Sequence, residues 1–329
     1  MTGSFRQEIF NINTTLQFED AALKIMKHQY ENNPVYRSFT DLIKIDPGSV
    51  TDIHQIPFLP VEFFRNHNII TGGRKIEITF ESSGTAGMVP GRHHVSDVSL
   101  YEESFIRGFS MFYGAPEEYI LTALLPSYLE RSGSSLVYMV DKLINLTKSE
   151  LSGFYRDDKP ELISTLKKGL LSGKKLLLIG VSFALLDLAD QYPADLSGVT
   201  IMETGGMKGR RKEVTRDELH NILKSRLNVD AIHSEYGMTE LLSQAYSKHD
   251  GIFHCPPWMK ILLRDPQDPL SVISEPGRTG GINIIDLANV NSCSFISTGD
   301  LGRLHKDGGF EVLGRFDNSD IRGCNLLSD

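Results

Sequence analysis

From Ile76 to Phe80 apolar and polar residues alternate, Ile76-Glu77-Ile78-Thr79-Phe80, which is the two-residue period of a half-buried strand. Short apolar runs bounded by Gly, Pro or Ser predict further strands over Tyr119 to Leu125, Lys175 to Gly180, Val199 to Glu203 and Ala231 to His233. Between them the period lengthens. Glu218 to Leu227 places Leu219, Ile222, Leu223 and Leu227 on one helical face, and Phe183 to Ala189 reads as a compact apolar helix. Strands alternating with helices predict an α/β fold with a largely parallel sheet.

Before and after this core the texture differs. Residues 1–70 mix short helical patterns with breaks at Pro34, Pro47, Pro57 and Pro60 and read as an irregular helical lead-in. Residues 71–249 form the α/β core. Residues 250–329 carry short strands and turns punctuated by Pro256, Pro257, Pro266, Pro269 and Pro276, which predicts a smaller β-rich lobe. No internal repeat or low-complexity tract interrupts these segments.

Composition narrows the function classes. The chain has 329 residues, 40% of them hydrophobic, enough for a substantial core. A formal charge of -8 argues against nucleic-acid partners, which need concentrated Lys and Arg, so an anionic ligand must be held locally. No signal-peptide pattern or apolar run of membrane-spanning length is present, and a cytoplasmic location is the expectation. Cys255, Cys293 and Cys324 are too few and scattered for a disulfide framework or zinc ribbon.

Three elements could carry chemistry. In Ser82-Ser83-Gly84-Thr85-Ala86-Gly87, hydroxyls and backbone N–H groups could converge on phosphate oxygens. It lacks the Lys of a Walker A loop, and a plain Ser/Gly turn is the alternative. In Tyr236-Gly237-Met238-Thr239-Glu240, Thr239 and Glu240 offer a hydroxyl and a carboxylate suited to phosphate and magnesium, or else cap a helix starting at Leu241. In Ser297-Thr298-Gly299-Asp300, followed by Gly314-Arg315, the aspartate could accept two vicinal hydroxyls and the arginine could meet sugar or phosphate oxygens. A turn and a surface arginine would look the same.

In this order the three elements resemble the core motifs of the adenylate-forming superfamily: acyl-CoA synthetases, peptide-synthetase adenylation domains and luciferases. The resemblance narrows at Leu125-Pro126-Ser127-Tyr128-Leu129-Glu130-Arg131-Ser132-Gly133-Ser134-Ser135, Glu203-Thr204-Gly205-Gly206-Met207-Lys208-Gly209-Arg210-Arg211, His233 to Glu240, and Cys255-Pro256-Pro257-Trp258-Met259-Lys260. These look like the LuxE-type acyl-protein synthetases, and the similarity runs from about Ile53 to the chain's end. It implies an adenylate-forming N-terminal core in which a carboxylic acid, in this family a fatty acid, becomes acyl-AMP at the expense of Mg-ATP. By the same resemblance, Ser82 to Gly87 handle phosphates and Gly205-Gly206 lie along adenine. Tyr236, Gly237, Met238 and Thr239 contact adenine and phosphate, Glu240 holds Mg²⁺, and Asp300 and Arg315 bind ribose. The acyl group then passes to a cysteine near the C-terminus, matched here by Cys324 in Arg322-Gly323-Cys324-Asn325, for delivery to a partner reductase or acyl-acceptor protein. Arg322 could favour the reactive thiolate.

Two departures from the wider superfamily bear on mechanism. Met88, Val89 and Pro90 stand where a lysine usually follows the Ser/Gly loop, and the chain stops fourteen residues after Arg315. The usual mobile C-terminal domain, with its second lysine, is therefore expected to be absent. Lys208, Arg210 and Arg211 are candidates for stabilising the transition-state charge, with a solvated cluster as the alternative. Arg92, His93 and His94 are another source, although neighbours on a strand diverge, which disfavours a metal site. His254-Cys255 precedes Pro256-Pro257 and reads as a rigid turn. Phe105, Phe109, Phe112, Tyr113 and Trp258 could line an acyl pocket, with core packing the default reading. The rival functions are an acyl- or aryl-CoA ligase, which would use coenzyme A, and a non-catalytic nucleotide- or acyl-binding subunit of a reductase complex.

Overall fold

The structure is a computed structural model and describes residues 2–82, 89–125, 133–155, 158–205, 214–273, 275 and 277–316. Its central sheet has six strands in the order Gly153–Phe154, Tyr119–Leu124, Lys175–Gly180, Val199–Glu203, Ile232–Tyr236 and Ala245–Ser247. The first five are parallel and the last is antiparallel. Tyr119–Leu124 is buried along its whole length, as expected of a strand covered by crossover helices on both faces.

The helices start where the sequence supplies caps. Asp97 accepts from Leu100 N–H to open Val98–Tyr113, and Thr215 and Glu218 form a reciprocal capping box for Arg216–Leu227. Val98–Tyr113 buries Tyr101, Phe105, Phe109 and Tyr113. Phe109 stacks on Tyr113 and meets Tyr119 edge-on at 5.6 Å, so these aromatics lie in the core. Trp258 is also buried, its indole N–H donating to Ser104 and Ser243.

The C-terminal lobe is an antiparallel sheet ordered Ile252–Phe253, Phe310–Arg315, Phe295–Leu304, Thr279–Asp286, Met259–Arg264 and Val272–Ile273. Leu59–Pro60 joins it, lying parallel to Phe295–Leu304. The lead-in is more regular than its prolines suggest. Thr15–Asn32 is an 18-residue helix with a Thr14–Gln17 capping box. Asn33 then ends that helix, caps Pro34–Leu42, and donates from its buried amide to the Ser292 carbonyl at 2.9 Å. The beginning of the chain is thus fastened to residues some 260 positions later. Among the described residues, no helix is long and apolar enough to cross a membrane.

Candidate active site

The predicted strand over Ile76 to Phe80 is found as Ile78–Glu81, paired antiparallel with Arg92–Val95. This hairpin brackets the Ser/Gly loop and fixes its two ends. Ser82 N–H donates to the Gly91 carbonyl at 2.9 Å, and Gly91 N–H donates to Ser82 Oγ at 2.8 Å. A Cβ added at Gly91 would lie 2.6 Å from Glu240 Oε1. The glycine therefore lets a carboxylate 149 positions away reach the loop's base. Ser83, Gly84, Thr85, Ala86 and Gly87 lie outside the described residues, as do Gly206, Lys208, Arg210, Arg211 and Cys324.

The strand predicted at Ala231 to His233 runs further, as Ile232–Tyr236. Tyr236 consequently ends a strand, and Thr239 and Glu240 form a turn with no helix at Leu241. Three buried groups shape that turn. Asp286 accepts from Leu242 N–H at 2.7 Å, Ser243 N–H at 3.0 Å and the Ser243 hydroxyl at 2.6 Å. Asn289 donates to the Glu240 carbonyl at 2.7 Å, and His93 Nδ1 contacts the Thr239 carbonyl at 2.9 Å. His93 also touches the Asn289 side chain at 3.0 Å. His94 points the other way, to Thr79 and Asn68, as alternation on a strand requires.

Electrostatics here are those of burial. Desolvation pushes the Glu240 carboxyl up to about 7, eased by Arg65 and Arg315, and pushes Asp286 up to about 6 against its hydrogen-bond donors. Burial lowers His93 to about 4, so its ring is neutral. A single carboxylate beside the Ser82 hydroxyl suits Mg²⁺, which keeps most of its shell for water and phosphate. Among the described residues, no group of three or more His, Cys, Asp or Glu could hold a metal without such help.

Asp300 and Arg315 are opposite each other in the lobe's sheet. Arg315 Nε lies 3.4 Å from Asp300 Oδ1, and the Tyr236 hydroxyl donates to Asp300 Oδ2 at 2.9 Å. Burial raises the Asp300 carboxyl, opposed by the Tyr236 bond and by Arg315 and Arg264. Gly205 is set by Glu203, which accepts from Gly205 N–H at 2.6 Å and from Ser182 Oγ at 3.2 Å. Burial alone would raise Glu203, but His220, Arg216 and the neighbouring donors hold it below the usual value. Arg216 also donates to the Val312 carbonyl at 3.0 Å, linking the Gly205 segment to the strand that carries Arg315.

The fold thus sets Glu240 beside Ser82 at the base of the Ser/Gly loop, and brings Tyr236, at the end of a core strand, to Asp300 and Arg315 on paired strands of the lobe. Gly91, Asp286 and Asn289 position them and carried no motif signal of their own, since each works through a partner chosen by folding; His93, a candidate charge source in the sequence, is instead a buried neutral ring against the Thr239 carbonyl. Desolvation pushes up the thiols of the half-buried Cys255 and the buried Cys293, which disfavours the reactive thiolate.

This architecture is shared with adenylate-forming enzymes. A 2-hydroxyisobutyryl-CoA ligase in complex with 2-HIB-AMP and CoA superposes with a TM-score of 0.70 at 14% identity, over 93% of this chain and 69% of that one. ATP-bound MatB from Rhodopseudomonas palustris gives 0.55 at 16% identity, over 74% and 49%. O-succinylbenzoate coenzyme A synthetase from Bacillus subtilis in complex with AMP gives 0.53 at 17%, over 75% and 50%. The chain therefore spans about half the length of the latter two. No curated protein matches it by sequence. The fold class is that of the adenylate-forming ligases. Within it, the family model for acyl-protein synthetase, LuxE, matches residues 12–101 of this chain. That match takes in the helical lead-in from well before Ile53 as well as the Ser82 to Gly87 loop; the later motifs lie beyond it.

Proposed function

We propose that the protein activates a carboxylic acid as acyl-AMP and passes the acyl group to a thiol. The observation that carries this reading is the convergence of Ser82, Gly91 and Glu240 at the phosphate loop with the Tyr236–Asp300–Arg315 cluster. One end has donors and a carboxylate for a metal–triphosphate, and the other has a carboxylate and a guanidinium for a ribose. A carboxylate oxygen of the acid attacks the α-phosphorus, and the bond to pyrophosphate breaks. Mg²⁺, when bound, neutralises the leaving pyrophosphate. Holding both reactants together supplies much of the acceleration.

In the second step a thiolate attacks the acyl carbon and AMP leaves. Cys324 is the proposed acceptor and a fatty acid the proposed substrate, both on the motif resemblance, with a partner reductase or acyl-acceptor protein receiving the product. A free acceptor thiol needs a reducing compartment, which fits a cytoplasmic enzyme. Lys208 and Arg210 are proposed to offset the charge that a lysine after the Ser/Gly loop would meet, where Met88, Val89 and Pro90 stand here. Coenzyme A is the second reading of the acceptor, favoured by the likeness to CoA ligases.

The test incubates the protein with labelled acids and Mg-ATP, following pyrophosphate exchange and hydroxylamine-sensitive label on the protein. Exchange with label that disappears in Cys324→Ser is the expected result. Label that survives this change rejects Cys324, turnover that requires coenzyme A selects the CoA ligase, and absence of exchange with every acid refutes adenylation.

A further inference from the structure

Strand Ile232–Tyr236 works on both faces. Tyr236 points to Asp300, while His233 and Glu235 alternate to the side of helix Val98–Tyr113, where His233 meets the Tyr113 hydroxyl at 3.1 Å. Glu235 stands directly opposite Tyr246 on the antiparallel neighbour, so their side chains share that face. Both residues are buried, at 8% and 2% exposure. Among the described residues, nothing hydrogen-bonds the Tyr246 hydroxyl, and neither a hydrogen bond nor a cation acts on the Glu235 carboxyl. A buried polar group without a partner is uncommon and costly. The unpaired Tyr246 hydroxyl beside the Glu235 carboxyl asks for a ligand.

Their position indicates which ligand. The Glu235 carboxyl curls over Gly237, where an added Cβ would collide with its Oε1, so it borders the loop leading to Glu240. Gly108 is on the buried face of helix Val98–Tyr113, and outside its own helix backbone and chain neighbours no atom lies within 4 Å of where its Cβ would stand. Phe112, one turn on, packs against Tyr246 at 5.1 Å. Open space on the helix thus lies one turn from the ring that packs on Tyr246, whose hydroxyl is unpaired. Desolvation, reinforced by Glu203, pushes Glu235 up to about 8, and burial also raises Tyr246. Both are thus neutral at pH 7, each able to donate and to accept one bond.

We propose that Glu235 and Tyr246 form a hydroxyl-recognising wall of the acid pocket, and that the acid activated carries a hydroxyl on its acyl chain. This rests on the acyl-adenylate reading. A neutral donor–acceptor pair complements an alcohol, whereas an ammonium would have to ionise Glu235 beside Glu203. An unsubstituted chain would leave the Tyr246 hydroxyl orphaned, and sites built to bond a hydroxyl reject analogues lacking it.

The test measures ATP–pyrophosphate exchange with chain-matched acids: unsubstituted, hydroxylated at carbon 2 or 3, and aminated at carbon 2. One hydroxy acid should exceed its unsubstituted parent by about tenfold or more in kcat/KM. Glu235→Leu and Tyr246→Phe should each bring that ratio towards one, and Glu235→Gln, which keeps a donor and an acceptor, should retain it. Equal activation of parent and hydroxy acid, preference for the amino acid, or a ratio unmoved by both Glu235→Leu and Tyr246→Phe would overturn the proposal. The wild-type comparison decides even if a variant misfolds. No exchange with any acid would instead sink the adenylate reading itself, and the hydroxyl wall with it.

Discussion

The Asp300 carboxylate is held from two sides, by the Tyr236 hydroxyl at 2.9 Å and by Arg315 Nε at 3.4 Å. Tyr236 belongs to the α/β core and Asp300 to the lobe, so a single side chain joins both sheets at the site. Asp300→Asn keeps a hydrogen-bonding group for Tyr236 and removes the charge. The expected outcome is a KM for ATP raised about tenfold or more, equivalent to roughly 1.4 kcal/mol of lost binding, with little change in thermal midpoint. Asp300→Ala should also destabilise the fold by about 1–3 kcal/mol by orphaning the phenol. Initial rates against ATP concentration and thermal unfolding check both.

Glu240 combines its proposed place at the metal with an unfavourable environment, burial raising its carboxyl to about 7. Replacing it by Gln leaves its backbone contact with Asn289 intact but removes the carboxylate beside Ser82 and Gly91. Magnesium-dependent pyrophosphate exchange should fall by roughly 100-fold, on the order seen when one preorganised electrostatic group is lost. Thermal stability at pH 8 should stay equal or rise, since a buried carboxylate is gone. Unchanged exchange across a magnesium titration would remove Glu240 from the metal site.

Glu235 makes stability depend on pH. Its folded value is about 8 against an ordinary 4.5, so between these values the folded chain keeps a proton that the unfolded chain has released. The associated stability is fully present below 4.5 and is lost as pH rises towards 8, by about 1.4 kcal/mol per pH unit. Glu240 acts in the same direction up to about 7. Between pH 5.5 and 7.5, wild type should therefore lose about 2–3 kcal/mol more than Glu235→Gln in urea unfolding. Parallel pH profiles for the two proteins would contradict this.

Asp286 is predicted to hold the Thr239–Ser243 turn. Asp286→Ala strands the Leu242 and Ser243 N–H groups in the interior and leaves the Ser243 hydroxyl only Ser104 and Trp258, at an expected cost of about 3–5 kcal/mol. Chemical denaturation measures it. Ser243→Ala, which removes one of the three donors, should cost less than half as much.

Periodicity and capping make much of the core legible in the sequence. Lys175–Gly180 and Val199–Glu203 appear at their predicted bounds, because a buried parallel strand is an apolar run that local sequence displays. The helix predicted over Glu218 to Leu227 is found two residues longer, as Arg216–Leu227, because its Thr215–Glu218 capping box starts it earlier. Motif order points to Ser82, Tyr236, Glu240, Asp300 and Arg315 because their residue types and local turns are written contiguously. Only tertiary structure decided which partner each would meet. The Gly91–Glu240 approach spans 149 positions and the Tyr236–Asp300 bond spans 64. Leu59–Pro60, a two-residue strand with no period to read, exists because Phe295–Leu304 offers it a ladder. Glu235 is the sharpest case. In sequence it is one more acidic residue beside a motif tyrosine, and alternation along a strand turns it away from its neighbour into a buried space opposite Tyr246. Burial and pairing depend on residues far along the chain, and the free energy that distinguishes a solvated carboxylate from a neutral buried acid arises only when those residues close around it.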